Sequence, residues 1–233
     1  MAKDEKKPAP KAADKGKKKK SAKGRWQFYT GDLDRQAERL QQMEQRLRQA
    51  IDHGRLSLVY QPVLDIATGQ LVGAEALVRM EEGDGDAVGP DQFIPVAESS
   101  GLIHALGAWV IDEACRQQAA WKREGIDLAV SVNIGAPQLR SADLAALLQQ
   151  ALTSNAVDSE RLELEVTERT LMENLDKAID LFGQLRSLGV KIVLDDVGTG
   201  LSSLGTLSTL PLDRLKLDRS LFVQGAGARA SPP

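Results

Sequence analysis

From Leu56 onward the chain alternates short apolar runs, rich in Val, Ile and Leu, with longer stretches of helical periodicity. The apolar runs predict strands at residues 56–64, 70–78, 128–134, 162–166, 191–194 and 214–217. The periodic stretches predict helices at residues 91–99, 102–124, 141–153 and 171–188. This order of elements is typical of βα units around a mostly parallel sheet, so the sequence predicts an α/β protein.

Acidic or amide side chains lie within or just after several of these strands. They are Glu75, Asn133, Glu165, Glu168, Asp195 and Asp196. In a closed β/α barrel the carboxyl ends of the strands meet at one mouth, where the active site lies. Any one of these residues alone is more simply interpreted as a strand-end cap or a surface ion pair, but the whole set favours a shared site.

A cluster of buried carboxylates requires a cation, because an isolated buried charge is very costly. Oxygen ligands without His or Cys favour Mg²⁺ or Mn²⁺ over zinc, and we interpret His53 and His104 as structural. Two such ions could hold a phosphodiester and activate a bridging water, with the adjacent Asp195 and Asp196 reaching different ions. Lys216, near the end of the last predicted strand, could stabilise charge on the phosphate.

The cysteine content and the hydropathy limit where such a protein works. Cys115 is the only cysteine, which excludes an internal disulfide framework and fits a reducing compartment. No apolar run approaches the roughly 20 residues that a membrane span needs, and the N-terminus lacks the apolar stretch of a secretory signal. We therefore expect a cytoplasmic protein without a membrane span.

The charge is divided unevenly along the chain. Residues 1–24 hold ten lysines and three acidic residues, a net charge of +7, whereas the remaining chain has a net charge of −10. This segment has no large apolar residue after Met1, so we expect a disordered, solvated tail, or a start codon placed too early. Contact with nucleic acid or anionic lipid through Lys17–Lys20 is the weaker alternative.

Residues 25–54 are predicted to form a linker that is largely helical from residue 33. Leu40, Met43, Leu47 and Ile51 recur at helical spacing between polar residues. We interpret this helix first as an amphipathic element packed on its own domain. The alternative is a signalling helix that joins a sensor domain or a second subunit, although the pattern is short for a coiled coil.

Six ordered motifs between residues 47 and 222 resemble the EAL domain family. They are Tyr60-Gln-Pro62, Glu75-Ala-Leu77 with Arg79, Val132-Asn133, Glu165-Val-Thr-Glu168, the run from Asp195-Asp196 to Leu204, and Leu215-Lys-Leu-Asp-Arg219. The resemblance implies a modified TIM barrel with one reversed strand. It also implies hydrolysis of cyclic di-GMP to the linear dinucleotide pGpG, with two Mg²⁺ or Mn²⁺ ions.

The resemblance also implies a role for each matching residue. The residues that match the family's metal ligands are Glu75, Asn133, Glu165, Asp195 and Asp196. Lys216 matches a lysine that orients or activates the water, and Glu168 matches a glutamate that anchors the loop of residues 198–204. Gln61, Leu77 and Arg79 match positions near the bound dinucleotide. The sequence that follows Asp195-Asp196 departs from the family pattern, since Val197 and Leu201 replace aromatic residues.

The end of the chain also departs from the family pattern. After Phe222 no strand or helix pattern follows, and the family's Glu-Gly-Val-Glu and Gln-Gly-Tyr motifs do not appear. We therefore expect a partial EAL domain over residues 55–222, a disordered tail over 223–233, and an incomplete barrel with exposed strand edges. Such a barrel is expected to aggregate or to associate as a homodimer or with another EAL or GGDEF chain.

Three functions remain open from the sequence. The complete set of implied ligands favours a cyclic di-GMP phosphodiesterase. The early end of the pattern favours a non-catalytic cyclic di-GMP receptor or interaction module, or a decayed fragment. On this basis we expect the chain alone to be inactive or weakly active.

Overall fold

The computed structural model describes residues 31–81, 87–198 and 210–222, with side-chain detail from residue 34. The predicted tails at 1–24 and 223–233, and Leu201 with most of its loop, lie outside these residues. The described helices are α1 (Gly31–Asp52), α2 (Pro90–Ser100), α3 (Ile103–Arg123), α4 (Ala136–Leu139), α5 (Leu144–Asn155), α6 (Glu168–Met172) and α7 (Leu175–Ser187). The described strands are β1 (Leu56–Leu64), β2 (Leu71–Glu81), β3 (Ala87–Val88), β4 (Ala129–Asn133), β5 (Leu162–Thr167), β6 (Lys191–Val197) and β7 (Arg214–Leu217).

One sheet organises the domain. Its strand order is β1-β2-β4-β5-β6-β7, with β3 paired to β2. β1 runs antiparallel to β2, and the pairs β2-β4, β4-β5, β5-β6 and β6-β7 are parallel. The two-residue strand β3 pairs with β2 in the antiparallel direction. This arrangement confirms the α/β architecture, with β1 as the one reversed strand along the main strand order. Within the described residues β1 and β7 each pair on one side only, so this part of the sheet remains open between them.

All six predicted strands are present, and most differences lie at their ends. β2 extends to Glu81 because its last residues pair with the start of β1, Met80 lying opposite Leu56. The predicted helix at 171–188 is wrong as a single element, because α6 and α7 are separate helices. The hydroxyl of Thr167 accepts a hydrogen bond from the Thr170 amide and starts α6 at Glu168.

The core lies between the outer face of the sheet and the helices. β4, β5 and residues 192–194 of β6 are almost wholly buried, as expected for parallel strands covered on both faces. The core is mainly aliphatic, with Phe93 and Phe182 as its two fully buried rings. Gln118 of α3 donates hydrogen bonds to the carbonyls of Leu128 and Arg161, which lie immediately before β4 and β5. The amino ends of these strands are thereby held together.

Among the residues that the structure describes, it is the second half of α1 that packs on the domain. Leu47 and Ala50 are buried, and the helix contacts α2, α3 and β2. Leu40, in the first half, is 50% exposed. Packing on its own domain was the preferred prediction for this helix, and it holds for the second half.

None of the described helices combines the length and the apolar character that crossing a membrane requires.

Candidate active site

The ammonium group of Lys216 lies among acidic side chains at the carboxyl ends of the parallel strands. Lys216 Nζ donates hydrogen bonds to Glu75 Oε2 at 2.7 Å and to Glu165 Oε2 at 2.6 Å. Asp195 Oδ2 lies 3.8 Å from the same nitrogen. Asn133 Nδ2 donates to the other oxygen of Glu75 at 2.8 Å. Five predicted site residues, from five different strands, therefore form one cluster.

The strand register explains why these residues meet. Asn133 of β4 lies opposite Glu165 of β5, and Thr167 lies opposite Asp195 of β6. Alternate residues of a strand share a face, so β7 presents Lys216 and Arg214 on the inner face in successive layers. In the layer below, Arg214 Nη1 donates to Glu163 Oε2 at 3.0 Å. The barrel interior thus carries two stacked ion-pair layers.

Burial makes the charges of the upper layer interdependent. The Glu165 side chain is 2% exposed, and desolvation raises its pKa even though hydrogen bonds from Lys216 and Ser131 oppose the rise. Desolvation acts to lower the pKa of Lys216, but its hydrogen bonds to Glu165 and Glu75 outweigh this effect and raise it. Lys216 is therefore held as a cation, and its positive charge offsets part of the negative charge of the acids around it.

Asp196 lies at the rim of the cluster. Its φ is 57°, a left-handed conformation uncommon outside glycine, and its amide donates to Asp195 Oδ1 at 2.9 Å. The pairing of β6 with β7 is irregular between Leu194 and Val197, where the acid pair lies. Desolvation, followed by repulsion from Asp195 and Asp218, raises the pKa of Asp196.

Glu168 lies beside the cluster and contacts the residue that leads into the loop after β6. Its Oε2 accepts a hydrogen bond from the Gly198 amide at 3.0 Å, and the Glu168 residue is buried. Gly198 has a φ of 108°, which side chains with a Cβ rarely adopt. A Cβ added there would also meet the end of the Leu221 side chain, but that side chain is exposed and can move aside. The backbone conformation is therefore what favours glycine at this position.

Gly198→Ala is accordingly expected to lower the free energy of unfolding by about 1–3 kcal/mol and to weaken the Glu168 contact. Urea denaturation measures the loss. The matched control is Gly183→Ala in α7, where the position is exposed and a Cβ meets nothing within 4 Å. That control should gain roughly 0.5–1 kcal/mol. Equal effects of the two substitutions would contradict the strain argument.

The three residues expected near the dinucleotide flank the cluster. Glu75, Leu77 and Arg79 alternate along β2 and so share its inner face, and Gln61 of β1 lies directly opposite Glu75. Arg79 Nη1 donates to the Val78 carbonyl at 2.9 Å. Leu77 also lines a cavity of about 360 Å³ together with Asn133. These side chains extend the site along β1 and β2.

Two contributors were missed in the sequence. Ser131 is buried on β4 and donates a hydrogen bond to Glu165. Asp218 follows β7 and acts on Asp196 through charge. Both lie two residues from an identified member, Asn133 or Lys216, so the alternation of strand side chains would have indicated them.

The donor chemistry of the cluster fits a hard divalent cation. Carboxylate and carboxamide oxygens are the ligands that Mg²⁺ and Mn²⁺ prefer. Among the residues that the structure describes, no three Asp, Glu, His or Cys side chains are gathered in a ready-made metal cage. The cluster is instead held together by the Lys216 ammonium group, which occupies the position of a balancing cation.

Fold and site together define a protein of the β/α-barrel type with an acidic, lysine-bridged mouth. The chain belongs to the EAL domain family, whose sequence profile matches residues 44–231. This confirms the family indicated by the sequence motifs. EAL phosphodiesterases depend on a divalent metal.

Individual relatives agree with this assignment. The chain is 40% identical over 204 residues to the signaling protein YkoW of Bacillus subtilis, covering 88% of this chain and 26% of YkoW. It is 43% identical over 198 residues to the cyclic di-GMP phosphodiesterase NbdA of Pseudomonas aeruginosa, covering 84% of this chain and 25% of NbdA. The chain thus spans about a quarter of the length of these relatives.

Solved structures show the same fold. The PaMucR phosphodiesterase in complex with c-di-GMP superimposes with a TM-score of 0.75 at 41% identity, covering 79% of this chain and 75% of that one. The FimX EAL domain of Xanthomonas citri in complex with c-di-GMP gives a TM-score of 0.76 at 28% identity, covering 84% and 76%. These matches confirm the TIM-barrel-like fold.

Proposed function

We propose that this chain provides the catalytic site of a cyclic di-GMP phosphodiesterase, which hydrolyses one phosphodiester bond to give linear pGpG. The observation that carries the proposal is the gathering of Glu75, Glu165 and Asp195 around Lys216 at the strand ends. The relative NbdA is a cyclic di-GMP phosphodiesterase, and it shares 43% identity with this chain. The PaMucR phosphodiesterase, solved with c-di-GMP, has the same fold.

The acidic cluster is assigned to metal binding. Mg²⁺ or Mn²⁺ would be held by Glu75, Asn133, Glu165, Asp195 and Asp196. When bound, the metal supplies Lewis-acid polarisation of the phosphate and a water of lowered pKa. These side chains keep strongly charged oxygens at a mouth whose walls are buried strands, where electrostatic interactions are strong.

The remaining residues bind and position the substrate. Lys216, once the metal balances the acids, is available to stabilise negative charge on the phosphate or to orient the water. Gln61, Leu77 and Arg79 contact the dinucleotide from β1 and β2. Glu168 holds the Gly198 amide and thereby sets where the loop after β6 begins.

Binding without hydrolysis is a second candidate function, favoured by one observation. Lys216 donates to one oxygen of Glu75 and to one oxygen of Glu165, so the ammonium group engages carboxylate oxygens that a metal would need. A nucleotide bound over this ion-pair cluster would remain intact if the metal could not displace the ammonium group.

One assay separates the two functions. The purified chain is expected to convert cyclic di-GMP to pGpG with Mg²⁺ or Mn²⁺ and to stop when EDTA is added. Asp195→Ala should abolish this turnover while retaining the fold. Saturable binding of cyclic di-GMP without turnover in either metal would establish the receptor function instead, and neither binding nor turnover by a folded sample would refute both.

A further inference from the structure

β7 carries Lys216, yet the residues that the structure describes hold the middle of this strand only loosely. The outward side chains of Leu215 and Leu217 are 48% and 53% exposed, so hydrophobic packing contributes little there. The pairing with β6 is regular at Arg214 and Leu215, then shifts, and resumes at Leu217. Lys216 therefore lies where the backbone ladder is interrupted, and its position depends on contacts made elsewhere along β7.

Polar contacts anchor the start of β7 to two different strands. The Asp213 amide donates to the Ile192 carbonyl at 2.9 Å, and the Asp213 carboxylate accepts from the Ile192 amide at 2.8 Å. Next to it, Arg214 Nη1 donates to Glu163 Oε2 at 3.0 Å. The Glu163 side chain is 4% exposed, whereas that of Arg214 is 47% exposed. Because a buried carboxylate is costly without a partner, Glu163 retains the Arg214 guanidinium at this depth.

The Arg214 and Lys216 contacts form two parallel rungs between β7 and β5. Arg214 reaches Glu163 and Lys216 reaches Glu165, and the two residues of each pair are 51 positions apart in sequence. Alternate residues of a strand share a face, so the rungs repeat at the strand period of two. Both rungs cross β6, which lies between β5 and β7 in the sheet. Fixing the lower rung therefore fixes how far β7 extends towards the mouth, and with it the height of the Lys216 ammonium group.

We propose that Arg214 is a positioning residue for Lys216, acting through its ion pair with Glu163. The pair holds β7 at the height where Lys216 Nζ meets Glu75 and Glu165. It also occupies Glu163, which would otherwise attract the flexible lysine side chain away from the mouth and down into the barrel. The placement of the ammonium group is independent of the reaction, whereas its consequence for hydrolysis rests on the proposed function.

The first test observes the Lys216 ammonium group directly in the metal-free chain. With ¹⁵N-labelled lysine, ammonium protons that are hydrogen-bonded and partly buried exchange slowly enough with water to give an NMR signal, and Lys216→Met identifies the signal of Lys216. Arg214→Met should lose this signal, because a displaced ammonium group exchanges its protons faster. Arg214→Lys, which keeps the cation, should retain it. The matched control is Arg48→Met, which breaks an exposed ion pair with Glu44 on α1 and should leave the signal unchanged.

The second test separates positioning from a general loss of stability. In Mg²⁺ or Mn²⁺, Arg214→Met should lower kcat for cyclic di-GMP about 10- to 100-fold with little change in KM, because Arg214 is not among the residues assigned to the substrate. Glu163→Gln, an isosteric change that weakens the same pair, should also lower kcat. The double variant should lose little more than Arg214→Met alone, since both substitutions remove one interaction.

Circular dichroism and urea denaturation check that each variant is folded. A Lys216 signal that is absent from wild type or that survives in Arg214→Met would overturn the proposal, as would kcat losses that multiply fully in the double variant. Absence of turnover in wild type would refute the proposed function alone, because the NMR signal still reports where Lys216 lies.

Discussion

Lys216→Met is expected to produce the largest loss of stability of any single substitution in the site, about 3 kcal/mol in metal-free buffer. Methionine keeps much of the length of lysine but removes the charge that bonds Glu75 and Glu165. Glu165 is 2% exposed and would be left as a buried carboxylate without its cation. Removing one member of a buried ion pair typically costs roughly 3–5 kcal/mol, and the partial exposure of Lys216 places the loss at the lower end.

The loss should depend on pH and on metal in a defined direction. Burial already raises the pKa of Glu165, and removing the ammonium group raises it further. A raised carboxyl pKa costs stability at neutral pH, so the penalty should shrink as the pH falls toward 4.5, the ordinary pKa of this group. Mg²⁺ or Mn²⁺ should also reduce it, because a bound cation replaces the missing charge.

Urea denaturation of wild type and variant, with EDTA and with each metal, measures these effects. The matched control is Lys191→Met. Lys191 starts β6 and therefore lies at the amino end of the strand, away from the acidic cluster at its carboxyl end. It should lose well under 1 kcal/mol, as expected for a substitution away from a buried network. A Lys216→Met chain as stable as this control would show that the ammonium group does not balance the buried acids.

Glu75→Gln is expected to give the largest loss of activity, at least about a hundredfold in kcat/KM for cyclic di-GMP. Glu75 accepts from Asn133 on one oxygen and from Lys216 on the other. The glutamine amide carries no charge for a metal, and its NH₂ group would face one of these two donors. Loss of an outer partner of a metal ligand already costs about 10- to 100-fold, so loss of a ligand itself should cost more.

Stability separates this variant from a folding defect. Glu75→Gln removes one negative charge from an acid-rich cluster, so in EDTA it should lose less unfolding free energy than Lys216→Met. Glu81→Gln makes the same change at the exposed end of β2 and should leave turnover intact. Retained turnover in Glu75→Gln would remove Glu75 from the metal-binding set, whereas equal losses in both variants would point to a general effect on β2.

The sequence alone determined the order of the elements and the chemistry of the mouth. Strand periodicity located all six main strands, because buried strands leave a strong apolar pattern over few residues. The acids and the amide were found because polar residues at strand ends interrupt that pattern. The EAL motifs then identified the family, since six motifs in order are a far more specific signal than any one of them.

Only the tertiary structure decided how these parts act together. Lys216 bridges Glu75 and Glu165 across 141 and 51 residues of sequence, and strand register, rather than local pattern, sets that contact. The start of α6 at Glu168 depends on a cap at Thr167, which the apolar periodicity of the sequence does not reveal. α1 has one continuous stripe in sequence, yet half of it is buried and half exposed, because burial depends on where the rest of the domain lies.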